Sequence, residues 1–452
     1  MAASADVLDG ALPPILRKSP EPALDASLIP KERYLSPEVM RLEWDRMWRR
    51  VWLYAGPLSD LGEVGDYFTF EIGPESVLVV RTGADQLQAM YNVCQHRGRR
   101  IRQEGCGTVR SFTCPYHRWR YDLGGRLIEA PDSDFDFPQG DPVAARMRIP
   151  QVRCEVFEGL VFVNFDADAQ PLSEYLTGDV VDHLQTYRWG SEFRINLDWT
   201  VAWPCNWKIG VDSFNELYHL QGIHPELMDM SDDTPGGCPL DFYGRHSRFI
   251  YRVGVPGPRW DDEMARGRGY RDSNQITAGV RMILKAYGLD APEWEGHVKE
   301  LRPALIAAAR ERAGRQGVDV SGLVDDQLLD DFHYFLFPNI TLNISAHHFW
   351  LFRHRPHPRD PQQMLWDFQQ FVRVRPGQSA PPRPAHENYV IGDGHEGRFP
   401  HIALAQDEAQ AEELQRGMRS AGFKGLYLAH QERRIRYFHR VLDDYLALSP
   451  GA

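Results

Sequence analysis

The stretch CQHRGRRIRQEGCGTVRSFTCPYH, residues 94–117, decides how the chain is read. It carries Cys94 and His96, then seventeen residues, then Cys114 and His117. Two thiols and two imidazoles on a pair of loops suit either tetrahedral zinc or an iron–sulfur cluster. Zinc modules usually pair Cys with Cys and His with His along the chain, whereas here each loop offers one of each. Equal division lets the two cysteines take one iron of a [2Fe–2S] pair while the two histidines take the other.

Around this stretch the texture is that of short strands. DYFTFEI, VLVVRT, QAMYNVC and LVFVNF, separated by turn residues between about 66 and 166, predict an all-β module. Ahead of it lies a Pro-rich lead and LSPEVMRLEWDRMWRRVW, whose Met40, Leu42, Met47, Trp48 and Val51 suit an amphipathic helix after a Ser36 cap. Beyond about 170, helical spacing at 208–221, 297–313 and 404–418 mixes with the strand patterns ITLNIS and MLWDFQQFVRV. The closing segment HQERRIRYFHRVLDDYLAL also has helical spacing. These predict a second unit, α+β, with a sheet and covering helices. Residues 228–300, rich in Gly, Pro, Asp and Arg, read as a long loop of the lid or binding type.

Bulk properties narrow the class. With 452 residues, 42% apolar and 25% charged, the chain is a folded globular protein of more than one domain. A net charge of -12 argues against nucleic acid or an anionic membrane as partner. The start MAASADVLDG has no basic lead followed by an apolar core, and no apolar run approaches the ~18 residues of a membrane span. The expected address is the cytoplasm, where six cysteines remain thiols.

A second constellation lies in NWKIGVDSFNELYHLQGIHP, residues 206–225. Read as a helix, it stacks Asp212, Glu216 and His219 on one face at i, i+4 and i+7. His219 and His224, five apart, diverge by about 140° on an ideal helix and converge only where the helix breaks. Gly222 and Pro225 supply such a break. The two imidazoles then share one metal; the alternative is a surface helix with solvated acids and incidental histidines. Far downstream, in LAQDEAQAEELQRGMRS, residues Leu404, Ala411, Leu414 and Met418 form an apolar stripe that includes Asp407, while Glu408 points to another face. A carboxylate on a buried face needs a partner charge or a metal, although a first-turn acid also suits the helix dipole.

CQHRG (residues 94–98) with CPYHRWRYDLGG (residues 114–125) resembles the Rieske motif of ring-hydroxylating oxygenase large subunits. The resemblance implies a [2Fe–2S] cluster on Cys94, His96, Cys114 and His117, supplied with NAD(P)H-derived electrons by a separate reductase or ferredoxin. Arg118 stands where that family usually has Gly. His219 and His224 match the family's H-x(4)-H pair, and Asp407 with Gln415, Arg416 and Gly417 resembles its third-ligand helix. Together they imply a mononuclear Fe(II) with positions open to O₂ and substrate. Glu216 takes the position of the acid that bridges to the cluster of a neighbouring subunit, and Asp212, one turn earlier, is a second candidate for that role. Aromatic dihydroxylases usually have Asp there; Glu resembles the monooxygenase and N-demethylase branches. Phe214, Asn215, Leu220, Phe332 and Phe335 are the candidate substrate-pocket residues.

The resemblance, which spans roughly 45–445, implies an N-terminal all-β Rieske domain and a C-terminal catalytic domain of helix-grip form. The expected division is a helical lead at 1–50 packing on the catalytic domain, a cluster domain at 51–168 and a catalytic iron domain at 169–452. The implied activity is hydroxylation of a small hydrophobic substrate, aromatic, polycyclic or terpenoid-like, with demethylation or monooxygenation of an N- or O-methyl substrate as the alternative. The implied assembly is a homotrimer with a small beta subunit possible. From different classes, a Rieske electron carrier and a zinc-stabilised binding module stay open.

Overall fold

The computed structural model describes residues 12–133 and 146–447. It divides into two compact units, one being Arg41–Tyr175 and the other Leu176–Ala447 together with the segment that ends at Met40. The parts of the expected domains that fall on 1–11, 134–145 and 448–452 lie outside the described residues.

The unit at Arg41–Tyr175 holds a seven-stranded antiparallel sheet. Its order is Leu53–Pro57, Leu160–Asn164, Gln151–Phe157, Gln86–Tyr91, Glu75–Gly83, Asp66–Ile72, Cys106–Thr108. Asp66–Ile72 alternates as a one-sided strand should, burying Phe68, Phe70 and Ile72. Glu75–Gly83 is central, and Val77 to Val80 are buried without alternation. Phe112–Thr113, Arg120–Tyr121 and Leu127–Glu129 form a second, three-stranded sheet. Leu78, Val80, Met90, Ile101, Phe112 and Ile149 pack in one core with Cys94 and Cys114. The strand expected to run through Cys94 stops at Tyr91. Asn92 turns the chain there: its amide donates to Ser76 Oγ (2.9 Å) and the Arg102 carbonyl (2.8 Å), and its oxygen accepts from the backbone of Ile101 and Arg102.

In the other unit an eight-stranded sheet runs Leu240–Tyr243, His246–Tyr251, Asp331–Leu336, Ile340–Ile344, His348–Pro356, Met364–Arg373, Phe193–Trp203, Glu387–Val390. Neighbours are antiparallel except the last pair. The closing helix Arg433–Leu446 buries Ile435, Phe438, Val441 and Leu442, a stripe at helical spacing. Phe438 meets Phe335 of the sheet at 5.4 Å and Trp207 at 5.7 Å between ring centroids, which is the helix-grip arrangement. The segment before Arg41 is threaded into the same unit: Ile29 pairs with Leu426, and Arg33 meets Asp443 at 2.5 Å.

Residues 228–300 are not a bare loop. They contain the hairpin Leu240–Tyr243/His246–Tyr251 and the helices Asp262–Gly267 and Ala278–Tyr287. Val280 and Leu284 pack with Leu301 and Leu305 in a local core. Short elements rich in polar residues between turns carry too little periodicity to be read from sequence. Among the described residues no helix is long and apolar enough to cross a membrane.

Candidate functional site

Two loops of the same construction hold the first donor set. In one, the Cys94 N–H donates to the Arg99 carbonyl (2.8 Å) and the Gly98 N–H to the Cys94 carbonyl (3.0 Å). In the other, the Cys114 N–H donates to the Trp119 carbonyl (2.8 Å) and the Arg118 N–H to the Cys114 carbonyl (3.0 Å). Closing each loop puts its fifth residue in left-handed backbone, Gly98 at φ 74 and Arg118 at φ 62. Glycine adopts this freely, whereas a residue with a Cβ loses about 1–2 kcal/mol. Arg118 therefore departs from the resembling family at a position where the backbone itself asks for glycine.

Cys94 and Cys114 are buried, whereas His96 is exposed and His117 half-buried. The two imidazole centroids are 4.5 Å apart, and His96 stacks on Trp119 at 4.7 Å. Burial pushes the Cys94 thiol up, with Tyr121 Oη 3.3 Å from its Sγ and Cys114 beside it. The same Tyr121 hydroxyl accepts the Gln95 N–H at 3.0 Å, tying the loop to the small sheet. Two thiols inside and two imidazoles outside fit a [2Fe–2S] pair with one thiolate-held and one imidazole-held iron.

In the catalytic unit the expected 206–225 helix is broken earlier than Gly222. Asn206 caps a helix at Trp207–Ser213, the chain turns through Phe214 and Asn215, and a second helix runs only from Leu220 to Ile223. Glu216 makes the restart. Its Oε2 accepts the backbone N–H groups of Tyr218 and His219, as an N-cap side chain does, while its Oε1 lies 2.5 Å from His219 Nδ1. No glycine or proline marks this break; a carboxylate folded back on the backbone does.

The donor atoms of His219, His224 and Asp407 lie within 4.8 Å of one another. Asp407 Oδ1 is 2.9 Å from His224 Nε2 and 3.8 Å from His219 Nε2. The outer nitrogens are held in turn, His219 Nδ1 by Glu216 and His224 Nδ1 by Gln406 Oε1 at 2.7 Å. Burial opposes a charge on His219, but the Glu216 and Asp407 carboxylates outweigh it and hold that imidazole above the ordinary histidine range. Both Nε2 atoms thus converge on one carboxylate, an arrangement that fits a facial two-histidine, one-carboxylate iron site with open positions.

The other expected residues fall elsewhere. Asp212 does not meet His219: Tyr34 Oη donates to it at 2.5 Å, and His439 Nε2 lies 3.6 Å away. Phe214 packs on Phe352 at 4.7 Å, in the core, and Leu220 is buried. Phe332 and Phe335 sit on opposite faces of one strand, since Phe335 meets Phe438 while Phe332 lies 5.7 Å under the Arg248 guanidinium. Asn215 is fully buried, with neither amide atom hydrogen-bonded among the described residues. Leu414, expected on the buried stripe of the helix Ile402–Met418, is exposed, and Gln415 is buried in its stead. Gln406, Tyr34 and His439 were not singled out by sequence; only the adjacency of Gln406 to Asp407 was a signal.

Two family models match the chain. The Rieske [2Fe-2S] domain matches residues 51–139, and the ring hydroxylating alpha subunit (catalytic domain) matches residues 188–448. Biphenyl 2,3-dioxygenase subunit alpha of Rhodococcus jostii is 34% identical over 246 residues, 49% of this chain and 51% of that protein. The match thus spans about half the length of that relative. The glycine betaine monooxygenase oxygenase subunit of Chromohalobacter salexigens is 26% identical over 401 residues, 88% of this chain and 80% of the relative. Among solved structures, a quaternary ammonium Rieske monooxygenase in complex with L-carnitine superposes with a TM-score of 0.64 at 18% identity, covering 92% of this chain and 95% of its own. Naphthalene 1,2-dioxygenase from Rhodococcus sp. bound to indole gives a TM-score of 0.61 at 19% identity, covering 94% and 95%. At these identities the two structures share the fold alone. The catalytic-domain match spans more than half of the sequence, and the chain belongs to the ring hydroxylating alpha subunit family, with a Rieske [2Fe-2S] domain ahead of the catalytic one.

Proposed function

We propose that this chain is the terminal oxygenase component of a Rieske non-heme iron system, hydroxylating a small hydrophobic substrate with O₂. Electrons derived from NAD(P)H arrive through a separate reductase or ferredoxin. The observation that carries this reading is the presence, in one chain, of the Cys94, His96, Cys114, His117 donor set and the His219, His224, Asp407 face. In this reading the first four hold the cluster and the last three hold Fe(II). When bound, these groups supply stored electrons and the activation of O₂.

The chain's own residues prepare the iron face. With Glu216 and Gln406 each accepting an Nδ1–H, the Nε2 lone pairs of His219 and His224 would be left to hold Fe(II) beside Asp407. We assign Glu216 the bridging role toward the cluster of a neighbouring subunit and give Asp212, engaged with Tyr34 and His439, a packing role. That assignment carries a homotrimer with it, a small beta subunit being an optional addition. The cytoplasm, which supplies NAD(P)H and keeps thiols reduced, is the proposed address.

Metal analysis with an absorption spectrum tests the reading. The oxygenase holds about three irons per chain, an electron carrier about two and a zinc module none. Coupled NADH and O₂ consumption with a reductase, followed by product mass, then tests the chemistry. A chain with two irons, or none, is not this enzyme. Attack at an N- or O-methyl group is favoured by Glu216 and by the alignment with the glycine betaine monooxygenase subunit across 88% of this chain. Loss of a methyl group with formaldehyde release marks that outcome, and insertion of oxygen into a ring marks the first.

A further inference from the structure

The helix Ile402–Met418 buries two consecutive carboxylates, Asp407 and Glu408, which are 8% and 1% exposed. They face different histidines. Asp407 closes on His224 as described, whereas Glu408 Oε2 lies 3.1 Å from Nε2 of His395, a ring that is itself buried. The outer nitrogen of His395 is held too, Nδ1 lying 2.7 Å from Asp393 Oδ1. A carboxylate behind the imidazole and a carboxylate in front of it is the pattern already met at His219, with Glu216 behind and Asp407 in front.

A third donor completes the second group. The donor atoms of His395, Glu396 and Glu408 lie within 4.8 Å of one another, as those of the iron face do. One Glu396 oxygen accepts the Gly392 N–H at 2.8 Å, which fixes its carboxylate at the half-buried rim. Glu408 Oε1 is buried with no hydrogen-bond partner among the described residues. A buried, half-satisfied carboxylate is costly unless a cation or a proton compensates it. Aromatic rings enclose the group, Tyr389 stacking on His395 at 4.8 Å and Phe399 meeting it edge-on at 5.3 Å.

We propose that His395, Glu396 and Glu408 form a second metal site, separate from the iron face, that takes a divalent transition-metal ion, with Asp393 orienting His395. One imidazole and two carboxylates are all donors that Zn²⁺ accepts, and Zn²⁺ binds with three protein ligands and solvent. Such an ion staples the stretch from Glu387 to Phe399 to the helix that carries Asp407, at the residue next to it. No cluster or iron donor is shared.

The test uses the full-length holoenzyme, dialysed against a weak chelator and titrated with Zn²⁺ alone, with zinc and iron per chain and the unfolding temperature recorded. Wild type is expected to take one zinc per chain without losing iron, and to unfold at a higher temperature with zinc than without it. His395→Ala and Glu408→Gln are expected to weaken zinc binding by tenfold or more. Glu396→Gln, at a half-buried position with little folding cost, is expected to do the same and to abolish the thermal shift. Asp407→Ala is expected to lose the mononuclear iron and keep the zinc, so the two sites fail separately. Wild type that takes no zinc, or Glu396→Gln and His395→Ala that bind it as wild type does, would overturn the proposal and leave the trio as an ion-pair clamp.

Discussion

Gln406 Oε1 lies 2.7 Å from His224 Nδ1, so the residue before Asp407 orients the ring that Asp407 faces. One turn of helix thereby supplies both a donor and the brace of another donor. Removing the brace frees the ring to rotate and to exchange tautomers. Gln406→Leu is expected to weaken retention of the mononuclear iron by about 10–100-fold, with the cluster spectrum unchanged. Iron per chain after dialysis against graded chelator reads this. Gln406→Glu, which keeps the acceptor, is expected to retain the metal.

His219→Ala separates the two donor sets. The variant is expected to keep the cluster's colour, to lose about one iron per chain and to fall to background turnover. Activity at the wild-type level would remove His219 from the iron face.

The two matched loops make opposite predictions at one geometric position. Arg118→Gly relieves a left-handed residue and is expected to raise the stability of the cluster unit by about 1 kcal/mol. Gly98→Ala imposes the same conformation on a Cβ and is expected to lower it by a similar amount. Thermal bleaching of the cluster absorption measures both.

Acid sensitivity follows from buried histidines. His183 Nδ1 lies 3.0 Å from the Tyr334 hydroxyl and Nε2 3.2 Å from the Pro14 carbonyl, and burial, aided by the Arg248 charge, holds its pKa down at about 4. The unfolded chain takes up that proton near 6.5 and the native chain only near 4, so stability falls as pH drops between the two. The loss from this group is roughly 3 kcal/mol once both states are protonated. Urea midpoints from pH 7 to 4 are expected to follow this limb in wild type and to flatten in His183→Gln.

Asp367 is a second acid-labile point. Its Oδ2 accepts from the Nε of both Arg353 and Arg355 at 2.7 Å, and Thr200 Oγ1 donates to Oδ1 at 2.5 Å. Burial alone would raise this carboxyl, but the two guanidiniums outweigh it and hold it far below the usual range. Its stabilisation is complete above the ordinary carboxylate pKa and is lost as pH falls below it. Asp367→Ala leaves two guanidiniums without their carboxylate and is expected to cost about 3–5 kcal/mol by denaturant titration.

What was legible in the sequence was local or periodic. Cys94, His96, Cys114 and His117 sit on two short loops whose spacing points to a [2Fe–2S] pair, and the strand alternation around them follows from burial. His224 and Asp407 are 183 residues apart, and only the resemblance joined them. The break at Phe214 and Asn215 is not legible in the sequence because it comes from the Glu216 side chain folding back on Tyr218 and His219, and no helix-breaking residue marks it. Phe332 and Phe335 lie in one short segment of sequence, yet three residues along a strand reverse the face. Helical spacing turns Glu408 away from the stripe of Asp407, but that other face is buried as well, against His395.

The threading of the first described residues among the last has a consequence for the order of synthesis. Ile29 pairs with Leu426, and Tyr34 lies 2.8 Å from His439, so the catalytic unit closes only after nearly the whole chain has left the ribosome. The described residues of the unit at Arg41–Tyr175 are all translated long before that. Under the proposed assignments the loops that carry Cys94 and Cys114 are translated while Asp407 has yet to be made, so maturation of the cluster is expected ahead of loading of the mononuclear iron.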